Sequence, residues 1–459
     1  MTAKAVASSF RDPSGSLFTL DGAIYRRVNE SYANDYDLLM RSGLYEDLTS
    51  RGLLVSHEET EVSDAMSAGA YRILKPELVP FISYPYEWSF SQLKDAALVT
   101  LAIQKKALDR GLSLKDSSAY NIQFLRGKPT LIDTLSFEEY VQGRPWVAYR
   151  QFCQHFLAPL ALMSIKDVRF NQLLRVYIDG IPLDLASSLL PRRTRLSFNM
   201  LLHIHLHAKS QKYYAGKRTA KSKSAPKVGR QSLLGLVDSL ETCVKGLNWK
   251  AGGTEWADYY SDDSYTAQGL EDKRRLLSEY LAAAAPRTVW DLGANNGFHS
   301  RIACELGASA VAFDIDPACV EQNYLQVRKD DEDSILPLLM DLTNPSPAIG
   351  WANDERLSLA QRGPIDTAMA LALIHHIAIS NNVPLARIAE YFSGLCGTLI
   401  IEFVPKTDHK VQALLATRED IFPDYTREGF EREFSASFSI DRTDTIAESG
   451  RILYLMTRK

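Results

Sequence analysis

The chain has 459 residues, of which 46% are hydrophobic and 24% charged, with a net charge of −4 at neutral pH. That length exceeds one ordinary core and predicts two or three domains, and the near-neutral balance excludes a global attraction to nucleic acid, leaving only local basic patches. The five cysteines, at 153, 243, 304, 319 and 396, form no Cys-x-x-Cys pair, which argues against a disulfide framework or zinc ribbon and for a reducing cytosol.

At the N-terminus no long apolar stretch precedes Arg11 and Asp12, so a secretory signal is not expected. No later run approaches the roughly 18 apolar residues that a bilayer span requires, and a cytoplasmic protein without a membrane partner is expected. Residues 16–28 read as a β-hairpin turning at Asp21-Gly22. Helical segments follow at 35–51, then a strand at 69–75 and a junction at Pro85-Tyr86-Glu87-Trp88. An amphipathic helix over 89–110 ends at Gly111, as a C-cap would end it. The expected division is an α+β lobe at 1–88, a mainly helical lobe at 89–250 and a third domain at 251–459.

In Lys115-Asp116-Ser-Ser-Ala-Tyr-Asn121 the asparagine follows the aspartate by five residues, and Asp133 comes twelve later at the end of an apolar strand. This arrangement resembles the catalytic loop and metal-binding aspartate of protein kinases and small-molecule phosphotransferases. In those proteins the first acid orients the acceptor hydroxyl, while the asparagine and second acid hold magnesium. Here Leu114 replaces the usual histidine, Thr134-Leu135 replaces Phe-Gly, and no glycine-rich phosphate loop accompanies them. Arg26, Arg27 and Lys75 are the candidate nucleotide cations. The resemblance therefore implies a degenerate kinase-like module that recruits substrate. An unrelated α+β module using Asp and Asn in turns is the alternative.

His203-Ile-His205-Leu-His207 would line one face of a strand and suit a metal. Leu196–Lys209 reads more easily as a helix, which separates His205 from the other two, so packing is expected and no metal. The segment 209–230 carries eight Lys/Arg residues and no acid. It reads as a solvated linker, with a nucleic-acid arm as the alternative. The acids at 330–333 read as a solvated turn.

From about 285 strand and helix alternate. Strands are expected at 287–292, 309–315, 335–340, 365–372, 397–404, 437–441 and 451–456. Helices are expected near 269–284 and at 297–306, 317–328, 383–394 and 409–417. This predicts an α/β fold with a mostly parallel sheet and a closing antiparallel hairpin.

The stretch Val289-Trp-Asp291-Leu-Gly293-Ala-Asn295-Asn-Gly297 leads to Ala312-Phe-Asp314-Ile-Asp316-Pro, and Asp314 lies 21 residues beyond Gly293. That is the spacing at which a doubly wound sheet presents an acid to a ribose hydroxyl. Asp291 stands where a dinucleotide fingerprint begins with glycine. It would repel a pyrophosphate and attract an amino group. The pattern resembles the first two motifs of the class I S-adenosylmethionine-dependent methyltransferases, and the likeness extends over about 255–459, reversed final strand pair included.

The resemblance implies methyl transfer from S-adenosylmethionine to an oxygen or nitrogen acceptor. Gly293 would permit the tight turn, with Asn295 in the loop, and Gly297 the close approach of ligand to the helix start. Asp291 would meet the methionine amino group, Asp314 the ribose hydroxyls with Asp316 as understudy, and Asp341 the adenine amino group. His375 and His376, after the fourth strand, are candidate proton acceptors. Glu402, closing the fifth strand, is a second candidate base or substrate ligand. Trp256, Tyr259, Tyr260 and Tyr265 would cover the adenosine or face the sulfonium. Taken singly, each acid would read as an ordinary cap or turn residue.

The tetrapeptide Asn/Asp-Pro-Pro-Tyr/Phe is absent after the fourth strand, which argues against a base or glutamine amine as the target. A small molecule or a protein is therefore expected as acceptor ahead of nucleic acid. Two other readings stay open: a non-catalytic S-adenosylmethionine-binding scaffold, and an RNA-modifying enzyme anchored by the basic segment.

Overall fold

The structure, a computed structural model, describes residues 3–62, 67–207, 228–253, 265–416 and 418–459. The chain forms two compact units, Met1–Lys250 with Gly350–Arg356, and Ala251–Ile349 with Leu357–Lys459.

The first unit opens with a five-stranded antiparallel sheet. Its strands are β1 (Lys4–Ala5), β2 (Gly15–Leu20), β3 (Ala23–Val28), β4 (His57–Thr60) and β5 (Arg72–Pro76), in the order β1-β2-β3-β5-β4. The β2–β3 turn places Asp21 and Gly22 at φ 53° and 79°, the left-handed pair that matches the twist of a two-residue hairpin. Strands β1 and β4 escape sequence reading because both are edge strands, one very short and the other a polar His-Glu-Glu-Thr run. The expected helical stretch 35–51 is two helices, Ala33–Arg41 and Leu44–Ser50, parted by Gly43 at φ 72°.

The helix Phe90–Asp109 starts on a reciprocal cap, in which Ser89 accepts from Gln92 N and the Gln92 side chain accepts from Ser89 N at 2.9 Å. After it, residues read as mainly helical contain two strand pairs. Strand β6 (Leu112–Leu114) pairs with β9 (Phe137–Glu139), and β7 (Ile122–Leu125) pairs with β8 (Lys128–Leu131) around Arg126-Gly127. The three-histidine segment packs, as expected. His203 meets the Tyr149 hydroxyl at 2.8 Å and Ser239 Oγ at 2.9 Å, and His207 stacks on Tyr149 at 5.0 Å between centroids. No group of His, Cys, Asp and Glu among the described residues is placed to hold a metal ion. Most of the basic segment, 208–227, lies outside the described residues, and its last cation, Arg230, opens the helix Arg230–Gly246. Gly350–Arg356 groups with this unit, where Arg11 Nε bonds Glu355 Oε1 at 2.6 Å and Arg356 lies over the Tyr120 ring.

The second unit is a seven-stranded sheet. Its strands are β10 (Thr288–Leu292), β11 (Ser309–Asp314), β12 (Ile335–Leu339), β13 (Ile365–Ala370), β14 (Cys396–Phe403), β15 (Phe438–Thr445) and β16 (Ile452–Arg458). They run in the order β12-β11-β10-β13-β14-β16-β15. The first five are parallel, and β16 inserts antiparallel between β14 and β15. The parallel strands are buried almost throughout, as expected of a sheet covered on both faces. One helix, Arg427–Phe434, was not expected. Its Arg- and Glu-rich sequence masks Phe430 and Phe434, which pack on Phe403, Tyr454 and Phe438. The acidic turn is not wholly solvated, because Glu332 makes a bidentate bond to Arg301. Strand order reverses between β10 and β13, so the carboxyl ends of these strands form the natural crevice for a ligand.

Candidate functional site

At the end of β10 the chain turns through Gly293 (φ 84°), Asn295 (φ 50°) and Gly297 (φ 78°) before the helix Phe298–Glu305 begins. Gly293 N and Ala294 N both donate to Phe313 O, at 2.9 and 2.8 Å, which pins the loop to β11. A Cβ at 297 would lie 2.4 Å from Asn323 Nδ2, so this position requires glycine both for space and for conformation.

Two buried carboxylates flank the loop. Asp291, on β10, accepts from Ser300 Oγ at 2.6 Å, its single side-chain hydrogen bond among the described residues. Burial pushes its pKa up to about 7, and the charge of Asp314 adds to this. Asp314 ends β11 and accepts from Asn295 N at 2.7 Å and Asp316 N at 2.8 Å. Burial raises it to about 6 despite those donors. Asp316 caps the next helix by accepting from Ala318 N at 2.8 Å. Asp341 follows β12 by two residues and turns its carboxylate onto Thr343 N and Oγ1, at 2.8 and 2.6 Å. Asp291 is thus a buried acid without an ion-pair partner of its own, and it suits a ligand ammonium. Asp314 shapes the loop while keeping lone pairs for hydroxyl donors.

Glu402 departs from its expected role. It is fully buried at the end of β14, with Lys273 Nζ 2.7 Å and Arg451 Nη1 3.4 Å away, and it accepts from Tyr265 OH and, at 3.1 Å, from Ala372 N. Lys273 and Arg451 hold it down to about 2, so it is a poor proton acceptor and acts as a strut. Tyr265 is corrected with it. Its ring is engaged by Lys273 Nζ at 4.7 Å and Arg451 at 4.6 Å, and its hydroxyl accepts from both cations, so internal charges already use the face proposed for a sulfonium. Trp256, Tyr259 and Tyr260 lie outside the described residues. Arg451 also binds Asp408 at 2.8 Å. Lys273 was missed, although its position on the apolar face of Ala267–Ala284, in register with Leu276, Leu277 and Tyr280, was a readable signal.

After β13, His375 and His376 lie ring to ring at 4.1 Å, and His376 opens a π-helical turn through Ser380. Burial lowers His376 to about 4 and holds His375 well below its ordinary value, so both imidazoles are neutral at physiological pH. His375 senses the charges of Glu402 and Arg451. The site residues therefore fall into two neighbouring groups, one around Asp291 and Asp314 and one around Glu402, with Lys273 felt by both Asp291 and Glu402.

In the first unit, Asp116, Asn121 and Asp133 do come together. Asp116 is raised by burial and by the Asp133 charge, and it is hydrogen-bonded by the Asn121 side chain. Asn121 also reaches Ser136 Oγ, which donates to Asp133. Asp133, however, pairs with Arg26 at 2.6 Å, and that guanidinium also binds Asp12 at 2.8 Å. Lys115 is turned to Ser14 Oγ at 2.7 Å and over the Tyr32 ring. An internal cation thus neutralises the acid expected to face magnesium.

No sequence-family profile matches the chain. The nodulation protein NoeA of Rhizobium meliloti (strain 1021) is 36% identical over 466 residues, covering 99% of this chain and 96% of that protein. The chain belongs to the NoeA family. Among solved structures it is similar to magnesium protoporphyrin IX methyltransferase (ChlM) from Synechocystis PCC 6803 with bound SAH, at 18% identity over 44% of this chain and 93% of that one, TM-score 0.31. It is also similar to WbdD in co-crystals with the kinase inhibitor LY294002, at 18% identity over 48% and 47%, TM-score 0.30. A third is the 16S rRNA methylase RmtB, at 14% identity over 55% and 88%, TM-score 0.30.

Proposed function

We propose that the second unit is an S-adenosylmethionine-dependent methyltransferase acting on an oxygen or nitrogen of a small molecule or protein. The observation that carries this reading is the meeting of Asp291 and Asp314 at the carboxyl ends of adjacent parallel strands, around a loop that only glycine can form. When bound, the sulfonium supplies an electrophilic methyl and a neutral leaving group. Asp291 binds the ligand ammonium and is held ionised by it. Asp314 accepts from the ribose hydroxyls, and Asp341 stands by the neighbouring strand end for the adenine amino group. His376, neutral and half-exposed, takes the acceptor's proton, with His375 packed behind it. Lys273, Arg451 and Glu402 fix the floor of the site as a satisfied network.

The first unit, in this reading, is a degenerate kinase-like module that recruits the acceptor. The order β6, loop with Asp116 and Asn121, β7–β8 hairpin, Asp133, β9 supports the likeness, and the Arg26 bridge supports the loss of metal-dependent transfer.

Calorimetric titration of S-adenosylhomocysteine tests the cofactor site. Asp314→Asn is expected to bind about tenfold or more weakly than wild type, since it removes hydrogen bonds to a charged acceptor. Equal affinities would refute the assignment. Conversion of S-adenosylmethionine to S-adenosylhomocysteine in fractionated cell extract then separates an enzyme from a binding scaffold.

A further inference from the structure

The turn Arg192–Leu196 and the helix start that follows it hold two large apolar side chains out into solvent, Leu196 at 89% exposure and Phe198 at 73%. Arg192, Arg193 and Arg195 stand in the same turn and are exposed as well, and none of the three has a hydrogen-bond or ion-pair partner among the described residues. This is a built knuckle and not a frayed loop. Its one buried side chain, Thr194, donates from Oγ1 to Pro191 O at 2.7 Å. With that proton committed, His205 must donate from Nε2 to Thr194 Oγ1 at 2.9 Å, which leaves Nδ1 to accept from Ser187 Oγ at 2.8 Å. The turn is anchored from below through the histidine motif noted in the sequence.

We propose that this knuckle docks the protein on an anionic phospholipid surface. Exposed apolar tips and exposed guanidinium groups in one turn match that surface on both counts, because Leu196 and Phe198 enter the acyl boundary while the arginines reach the phosphates. RNA would use the arginines and stack on Phe198, but it offers Leu196 neither stacking nor a hydrogen bond. The expectation of no membrane partner rested on the lack of a spanning run, and peripheral docking needs none.

Flotation of the full chain with vesicles of phosphatidylcholine alone, and with added phosphatidylglycerol, tests this. Binding is expected only with phosphatidylglycerol, weakening as salt rises, and it should fall about tenfold or more in a Leu196→Ser, Phe198→Ser double variant whose Tm is unchanged. Absence of phosphatidylglycerol binding would overturn the proposal, as would binding undiminished in the double variant. Two other results would also overturn it: homopolymeric RNA bound with the same dependence on Leu196 and Phe198, or a lipid-free dimer that the double variant dissociates.

Discussion

Asp291 on β10 and Glu402 on β14 are both carboxylates buried in one sheet, yet their protonation is pushed in opposite directions. Burial lifts Asp291 to about 7, whereas Lys273 and Arg451 hold Glu402 down to about 2. A buried charge is tolerated when the fold supplies its counter-ion and remains unsatisfied when it does not. The acid left without an ion-pair partner among the described residues marks where a ligand can bring a cation, and the acid paired with two cations is architecture. Sequence gives the two residues equal standing, since each closes a strand on the same edge.

This contrast can be broken at several points. The largest effect belongs to Lys273→Met, which leaves Glu402 short of a partner and should lower unfolding free energy in urea by about 3–5 kcal/mol. A loss under about 1 kcal/mol would show that the network is not a strut. Next, His376→Ala should reduce turnover about a hundredfold or more with cofactor affinity unchanged. Because His376 is already neutral above about pH 4, the wild-type rate at saturating cofactor should be flat from pH 6 to 8. A rate rising through pH 6.5 would contradict the burial that lowers it.

Asp291→Asn should weaken S-adenosylhomocysteine about tenfold to a hundredfold while leaving stability at pH 8 intact or higher. The pH signs of the two acids also differ. Asp291, raised in the fold, makes the ligand-free protein lose stability as pH climbs from about 4 to about 7, and Asp291→Asn should remove that part of the slope, leaving the part that Asp314 contributes up to about 6. Glu402, depressed, contributes stability that is complete above its unfolded pKa and disappears as pH falls toward about 2. Ligand binding near pH 6 should also release more protons from wild type than from Asp291→Asn, as calorimetry in buffers of different ionisation enthalpy would read. The smallest effect is Thr266→Ala, which removes the cap of the helix carrying Lys273 and should cost about 1 kcal/mol with cofactor affinity unchanged.

The parallel strands of the second unit were legible because each is a short apolar run, with β10, β11, β12 and β14 closing on a glycine or an acid, and Gly293 and Gly297 were legible because a tight turn after a strand requires them. The helix Arg427–Phe434 was not, since it carries only two large apolar residues, Phe430 and Phe434, among five charges, too few to stand out although their spacing of four is helical. Nor was the role of Lys273, whose partner Glu402 lies on a distant strand. In the first unit, Asp116, Asn121 and Asp133 could be picked out by spacing, but Arg26 bridging Asp12 and Asp133 could not, because spacing carries no information about which cation a strand turns inward.

Local sequence alone determined the elements and the glycine loop, because steric limits on φ and the alternation of apolar residues act within a few residues. Tertiary structure alone decided which buried acid is neutralised from within and which is left for a ligand. Counter-charges act through space, and the cations that settle the matter, Lys273 and Arg451, come from a helix before the first strand of the sheet and from the edge of the last.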